Sequence, residues 1–155
     1  MWRLPESRFN DYFLCFDTYT MLKDVFVLRP RYDEVDQMGY VYHGNYVSYC
    51  HQARTELMRK YGINDRVLEA RGIMMPVIDM QLKYHQPGRY DEALMVTTTV
   101  EELKQVRLHF CFEIRNEANE KICTARSTVV FVDAHTRKPM KMPAVVHEVL
   151  APLFA

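Results

Sequence analysis

The sequence lacks an excess of either charge: twenty Lys and Arg against twenty Asp and Glu leave a formal net charge of zero. A balanced chain raises no broad field for nucleic acid or an anionic membrane surface, so neither is an expected partner. Nor does any apolar run approach the ~20 residues that cross a bilayer. The opening residues, MWRLPESRFNDYFLCFDTYT, do not follow the basic, apolar and small-residue order of a secretory signal. A cytoplasmic location is therefore expected. The four cysteines, Cys15, Cys50, Cys111 and Cys123, form no CxxC pair and have no histidine at a zinc-ligating spacing. They read as reduced thiols filling core or near-core space, and no metal site is expected. Internal repeats and low-complexity tracts are also missing.

What is present is an ordinary globular mixture of 155 residues, 48% hydrophobic and 26% charged, which fits one domain. Residues 1–22 stand apart. Trp2, Phe9, Tyr12, Phe13, Phe16 and Tyr19 make them too aromatic for a typical disordered tail, and they read as an extension that docks on the body or on a second copy. The domain proper is expected over 23–150.

A strand is predicted over Asp24–Tyr32, where Val25 and Val27 alternate with other residues and Pro30 marks an edge or an end. A helix is predicted from Asn45, read as its N-cap, to about Tyr61, closed by Gly62. Tyr46, Tyr49, Cys50, Ala53, Leu57 and Tyr61 recur at three- and four-residue steps and give it one apolar face. Gln52, Arg54, Glu56, Arg59 and Lys60 are assigned to the other side. Residues 63–71 add a short helical turn. The period then falls to two. GIMMPVIDMQLKYH, ALMVTTTVEEL, VRLHFCFEI and ICTARSTVVFVD read as four further strands separated by polar turns. One helix inserted between the first two of about five antiparallel strands must cover one face of the sheet, so the fold class is α+β. The remaining edges of such a sheet call for more protein, and self-association as a homodimer is expected.

The chemistry-bearing residues cluster between the first strand and the long helix. Asp36 and Gly39 leave the strand through a turn, while His43, Gly44 and Asn45 enter the helix. First-turn amides of a helix lack intrahelical acceptors and can receive an oxyanion or a polarised carbonyl. A carboxylate a few residues earlier can fold back to the same point and activate water. Plainer readings stand beside these. Asp36 can be a turn former, Asn45 a cap, and His43 a satisfied histidine at the sheet edge.

The full string RYDEVDQMGYVYHGNYVSYCHQARTEL resembles the signature of hotdog-fold acyl-CoA thioesterases, in the group of 4-hydroxybenzoyl-CoA thioesterase and the Tol-Pal-associated thioesterase. Its D-x-x-G-x-V-x-H-x-N-Y core falls on Asp36, Gly39, Val41, His43, Asn45 and Tyr46, and the A-R-x-E that follows falls on Ala53, Arg54 and Glu56. The likeness continues through YHQPGRYDE and VVFVDAHTRKPMKMP and covers roughly residues 25–143. It implies a hotdog fold, with a long central helix against a curled sheet. It also implies hydrolysis of an acyl-CoA thioester to a carboxylate and free CoA. No cofactor is implied, coenzyme A being part of the substrate.

By that resemblance Asp36 is the catalytic carboxylate, as nucleophile or as general base, and His43 assists at the amide-rich helix entrance. Gly39, Tyr42, Gly44, Asn45, Tyr46 and Arg89 are the implied substrate-binding residues. Glu56 is a second carboxylate for which some hotdog thioesterases have a use. Arg126, Arg137, Lys138 and Lys141 are further candidates for the CoA phosphates. Val35 and Met38 depart from the family pattern, and Met38 is placed to narrow the acyl site. The resemblance also allows a dimer of dimers. Two alternatives share the fold: hydrolysis of thioesters on acyl carrier protein, and acyl-thioester binding without catalysis.

Overall fold

The computed structural model describes residues 22–154. The expectation of an aromatic extension falls outside that range except for Leu22, which begins the first strand. In chain order the elements are β1 (Leu22–Leu28), α1 (Asn45–Lys60), α2 (Asp65–Ala70), β2 (Ile73–Met74), β3 (Val77–Tyr84), β4 (Leu94–Val100), β5 (Arg107–Asn116), β6 (Lys121–Asp133), β7 (Pro139–Met140) and α3 (Ala144–Leu150). A 3-10 turn at Tyr32–Glu34 precedes α1, and another at Ala151–Phe154 follows α3.

Five long strands build one antiparallel sheet, in the order β1, β4, β5, β6, β3. The two-residue strands β2 and β7 pair with the end of β6. Alternation sets the faces. Leu94, Val96, Thr98 and Val100 of β4 and Leu108, Phe110, Phe112 and Ile114 of β5 are all buried on one side. Tyr46, Tyr49, Cys50, Ala53, Leu57 and Met58 of α1 are buried in the same core cluster. Emptying a fully buried position such as Phe110 would cost about 3–5 kcal/mol. The α+β expectation therefore holds, as a helix lying across a curled sheet.

Helix α1 stops where predicted, and its end shows why. Gly62 takes a φ of +71°, its N–H reaches the carbonyl of Arg59 at 2.9 Å, and the Ile63 N–H reaches that of Met58 at 3.0 Å. This left-handed closure satisfies carbonyls that the helix leaves open, and it suits a glycine.

Several local expectations change. β1 ends at Leu28, not Tyr32, because Pro30 carries no N–H for the ladder. Its Val25 and Val27 face outward, 50% and 58% exposed, while Leu22, Phe26 and Leu28 turn toward the core. Pro76 divides the strand predicted over GIMMPVIDMQLKYH into β2 and β3. Arg54, assigned to the solvent side of α1, is only 4% exposed, with its guanidinium over the Phe110 ring at 5.9 Å. Helix α3 was not foreseen; it buries Val146 and Leu150.

Candidate active site

The segment between β1 and α1 folds into a small hairpin. Val35 bridges to Val41, the Asp36 N–H donates to the Tyr40 carbonyl at 2.8 Å, and the Gly39 N–H donates to the Asp36 carbonyl at 3.0 Å. Gly39 makes the reversal at φ +76°, a conformation that costs a glycine least. The half-buried Asp36 side chain is locked to its own turn: Oδ1 accepts the N–H of Met38 at 2.9 Å and of Tyr40 at 3.3 Å. Oδ2 makes no hydrogen bond among the described residues. One carboxylate oxygen thus orients the group, and the other is not engaged by the turn.

Two neighbours hold the hairpin. On one side the Tyr42 N–H and the Asn45 Nδ2 both donate to the Glu34 carbonyl, each at 2.8 Å. On the other, the Val41 N–H donates to the Gly88 carbonyl at 2.9 Å, and Tyr40 bridges to Arg89. The Arg89 guanidinium covers the Tyr40 ring at 5.2 Å. The β3–β4 loop is thereby brought to the hairpin, uniting sequence positions about fifty residues apart.

Asn45 does not cap α1. Gly44 occupies the N-cap position without a side-chain cap, and Asn45 is the first helical residue. Its amide is committed to Glu34, so it ties the hairpin to the helix instead of satisfying a first-turn N–H. Gly44 has a tight neighbour: a Cβ there would stand 2.8 Å from Cε1 of Tyr42. The Tyr42 ring is half exposed and lies 4.4 Å, centroid to centroid, from the exposed His43 ring.

Beneath this rim lies a set of tyrosines. Tyr46 is 3% exposed and its hydroxyl accepts the Gly88 N–H at 3.0 Å. Burial pushes its pKa up to about 12, against the opposing Gly88 hydrogen bond. Tyr84, at the end of β3, packs on Tyr46 at 5.5 Å and donates its hydroxyl to the His43 carbonyl at 3.0 Å. Burial raises its pKa as well. Tyr49 packs edge-on to Tyr46 at 5.8 Å and donates to Glu34 Oε2 at 2.6 Å. Burial opposes ionisation of Glu34, but the hydrogen bonds from Tyr49 and Arg31 prevail and hold its carboxyl below the ordinary range.

The structure thus brings Asp36, Gly39, Tyr42, His43, Gly44, Asn45, Tyr46 and Arg89 into one neighbourhood. The other candidates lie elsewhere. Glu56 pairs with Arg59 at 3.2 Å on the helix surface. Arg126 stands opposite Cys111 in the β5–β6 ladder, on the sheet face away from the core rings. Arg137 and Lys138 belong to the turn between β6 and β7. Sequence reasoning missed Glu34 and Tyr84. A cleft of about 270 Å³ runs beside α1, lined by His51, Arg54, Asp65, Glu69, Met75 and Val77 among others. Nine residues separate Asn45 from Arg54, which places the cleft about 13 Å further along the helix. No group of His, Cys, Asp and Glu among the described residues is arranged to hold a metal ion. Of these residues, no helix is long and apolar enough to cross a membrane.

A central helix on a curled antiparallel sheet, with a carboxylate turn at the helix entrance, defines the hotdog class of thioester hydrolases. Comparison with known proteins agrees. Residues 30–150 match the thioesterase-like superfamily, and the chain belongs to that family. It is 34% identical over 114 residues to YneP of Bacillus subtilis, spanning 74% of this chain and 83% of that protein. It is 32% identical over 116 residues to the acyl-CoA thioester hydrolase YbgC of Escherichia coli, spanning 75% and 87%. Among solved structures, the DHNA-CoA thioesterase of Staphylococcus aureus superposes with a TM-score of 0.80 at 30% identity, covering 84% of this chain and 90% of that one.

Proposed function

We propose that this protein hydrolyses acyl-CoA thioesters, with Asp36 as the reactive carboxylate. The observation that carries the reading is the asymmetry of Asp36, whose Oδ1 is held by two backbone N–H groups while Oδ2 has no partner among the described residues. A carboxylate oriented in this way meets the substrate carbonyl, either directly or through a water whose proton it takes. The amides at Gly44 and the first turn of α1 stabilise the carbonyl oxygen as negative charge develops there. On the water route the C–S bond then breaks and releases the acid and CoA thiolate. On the direct route its breakage releases CoA thiolate and leaves an acyl–Asp36 anhydride, which water hydrolyses to the acid. In both, His43 stands beside the departing sulfur. The named activity of the Escherichia coli relative supports CoA as the carrier.

Tyr42 and Arg89 line the approach, the ring half exposed and the guanidinium exposed over Tyr40. The working unit is a homodimer in the cytoplasm. Strand β3 supports the self-association. It pairs with β6 on one side, has no strand on its other edge among the described residues, and exposes Val77, Ile78 and Tyr84.

The test is Asp36→Asn, assayed by thiol release from short, long and aromatic acyl-CoAs. Turnover should fall by roughly 10³-fold, with circular dichroism and molecular mass in solution unchanged. Near-normal turnover in a folded variant would remove Asp36 from the chemistry.

A further inference from the structure

Glu34 lies two residues before Asp36 and takes no part in the proposed bond-making, yet five donors from four residues converge on it. Its backbone carbonyl accepts both the Tyr42 N–H and the Asn45 Nδ2 at 2.8 Å. Its carboxylate accepts the Tyr49 hydroxyl at 2.6 Å and, through Arg31, a backbone N–H at 3.0 Å and the guanidinium Nε at 3.1 Å. The Glu34 side chain is only 17% exposed, and Tyr49 is 3% exposed. A carboxylate that has left water costs free energy unless its lone pairs are met, and here the donors come from two directions. Arg31 lies upstream in the same turn. Tyr49 lies on α1, one helical turn beyond Asn45, so both residues project from the same side of the helix.

The consequence is geometric. The carbonyl fixes the end of the hairpin, residues 42–45, and the carboxylate fixes the second turn of α1. The Asp36 turn hangs between them, held on its far side by backbone contacts to Gly88 and Arg89 and by the Arg89 guanidinium over the Tyr40 ring. The separation between Asp36 Oδ2 and the amides at the start of α1 is therefore set through Glu34. We infer that Glu34, acting through Tyr49, is a positioning residue that sets the reactive carboxylate against the helix entrance. It rests on the reading of Asp36 as the reactive group. A hydroxyl on helix α1 and a carboxylate in the preceding loop make one rigid strut. Removing either end loosens the same distance.

The test compares Tyr49→Phe, Glu34→Gln and Glu34→Ala with the parent and with Asp36→Asn, measuring kcat and KM separately and thermal midpoints in parallel. Misplacing reacting groups by about 1 Å can cost about a hundredfold in rate, and a loss of that order in kcat is expected for Glu34→Ala with KM unchanged. Tyr49→Phe removes one hydroxyl and keeps the ring, so it should fold and lose kcat in the same direction. Glu34→Gln keeps an oxygen for Tyr49 and should recover part of the loss. The double variant Tyr49→Phe with Glu34→Ala should be no worse than Glu34→Ala alone, because both break one strut. Parent-level kcat in Tyr49→Phe overturns the inference, even where Glu34→Ala fails to fold. A rise in KM at constant kcat does the same. Loss in Asp36→Asn with none in Tyr49→Phe removes this inference and leaves the proposed chemistry standing. Full activity in Asp36→Asn removes both.

Discussion

The hydroxyl of Tyr84, the last residue of β3, donates a hydrogen bond to the backbone carbonyl of His43 at 3.0 Å. That bond joins β3, which has no strand on its outer edge among the described residues, to the entrance of α1. The Tyr84 ring also stands edge-on to the His43 ring at 6.3 Å and packs against Tyr46 at 5.5 Å. Whatever pairs with the β3 edge is thus one hydrogen bond from the segment that carries His43 and Gly44.

Tyr84→Phe isolates that bond. The ring is 47% exposed, so deleting its hydroxyl leaves the core intact and the thermal midpoint nearly unchanged. A neutral hydrogen bond is worth about 1 kcal/mol, which corresponds to a roughly fivefold change in rate. The expected result is a several-fold drop in kcat/KM, measured by thiol release at fixed pH. An unaltered kcat/KM would show that the His43 segment is held without Tyr84.

Gly44→Ala tests the rim. Gly44 has φ −68° and ψ −23°, which any residue adopts, so the backbone itself does not object to a methyl group. The obstacle is the Tyr42 ring, whose Cε1 would lie 2.8 Å from the new Cβ. That ring is 51% exposed and can swing into solvent, so stability should change little. If Tyr42 lines the approach, Gly44→Ala should raise KM more than it lowers kcat. Adding Tyr42→Ala to Gly44→Ala should then change nothing further. Independent, additive effects of the two substitutions would refute the coupling.

The long elements were legible because one period dominated each. β4 alternates without a break, β5 departs from alternation only at the buried Cys111, β6 keeps a looser period of two, and α1 keeps its apolar stripe from Tyr46 to Leu57. The motif residues from Asp36 to Tyr46 were legible because they lie within eleven consecutive positions, which a short hairpin keeps together. What failed depended on contacts between distant segments. Arg54 looks solvated by residue type, but the partner that accepts its guanidinium is the face of Phe110, fifty-six residues away. Asn45 has the chemistry of a cap, yet the carbonyl of Glu34 competes for its amide across eleven residues. Val25 and Val27 are the apolar pair that alternation selects in β1, but at a sheet margin the larger Phe26 and Leu28 take the inward side. Glu34 gave no signal because a carboxylate in a polar turn resembles every other one until Tyr49 is seen beside it.

Arg54 leads to a prediction about stability. Burial lowers its pKa, and the charge of Asp65 opposes that shift. Its guanidinium has His51 Nδ1 at 3.0 Å and the Phe110 ring as neighbours, with no carboxylate in salt-bridge range among the described residues. A flat cation stacks on a ring where a compact ammonium does not. Arg54→Lys should therefore destabilise by about 1–3 kcal/mol, and Arg54→Met, apolar and similar in reach, should cost less. Urea midpoints of the two variants decide the order. A lysine variant as stable as the parent would mean the planar stack contributes nothing.

Glu34 and Tyr49 together predict how stability varies with pH. The Glu34 carboxyl is held below its ordinary 4.5, with burial opposing ionisation and the Tyr49 and Arg31 hydrogen bonds outweighing it. A group depressed on folding binds fewer protons in the native state than in the unfolded one. Its contribution is fully present above about pH 4.5 and is lost as the pH falls through the folded value. Tyr49 acts at the opposite end. Burial, and next the Glu34 hydrogen bond, raise its pKa above the ordinary 10.0, so its contribution holds below that pH and fades as the pH rises past it. The stability gap between the parent and Tyr49→Phe should therefore be widest between these limits. It should narrow when urea midpoints are taken at progressively lower pH below about 4.5. A gap that stays constant from neutral to acid conditions would mean that the ionised Glu34 carboxylate is not what Tyr49 holds.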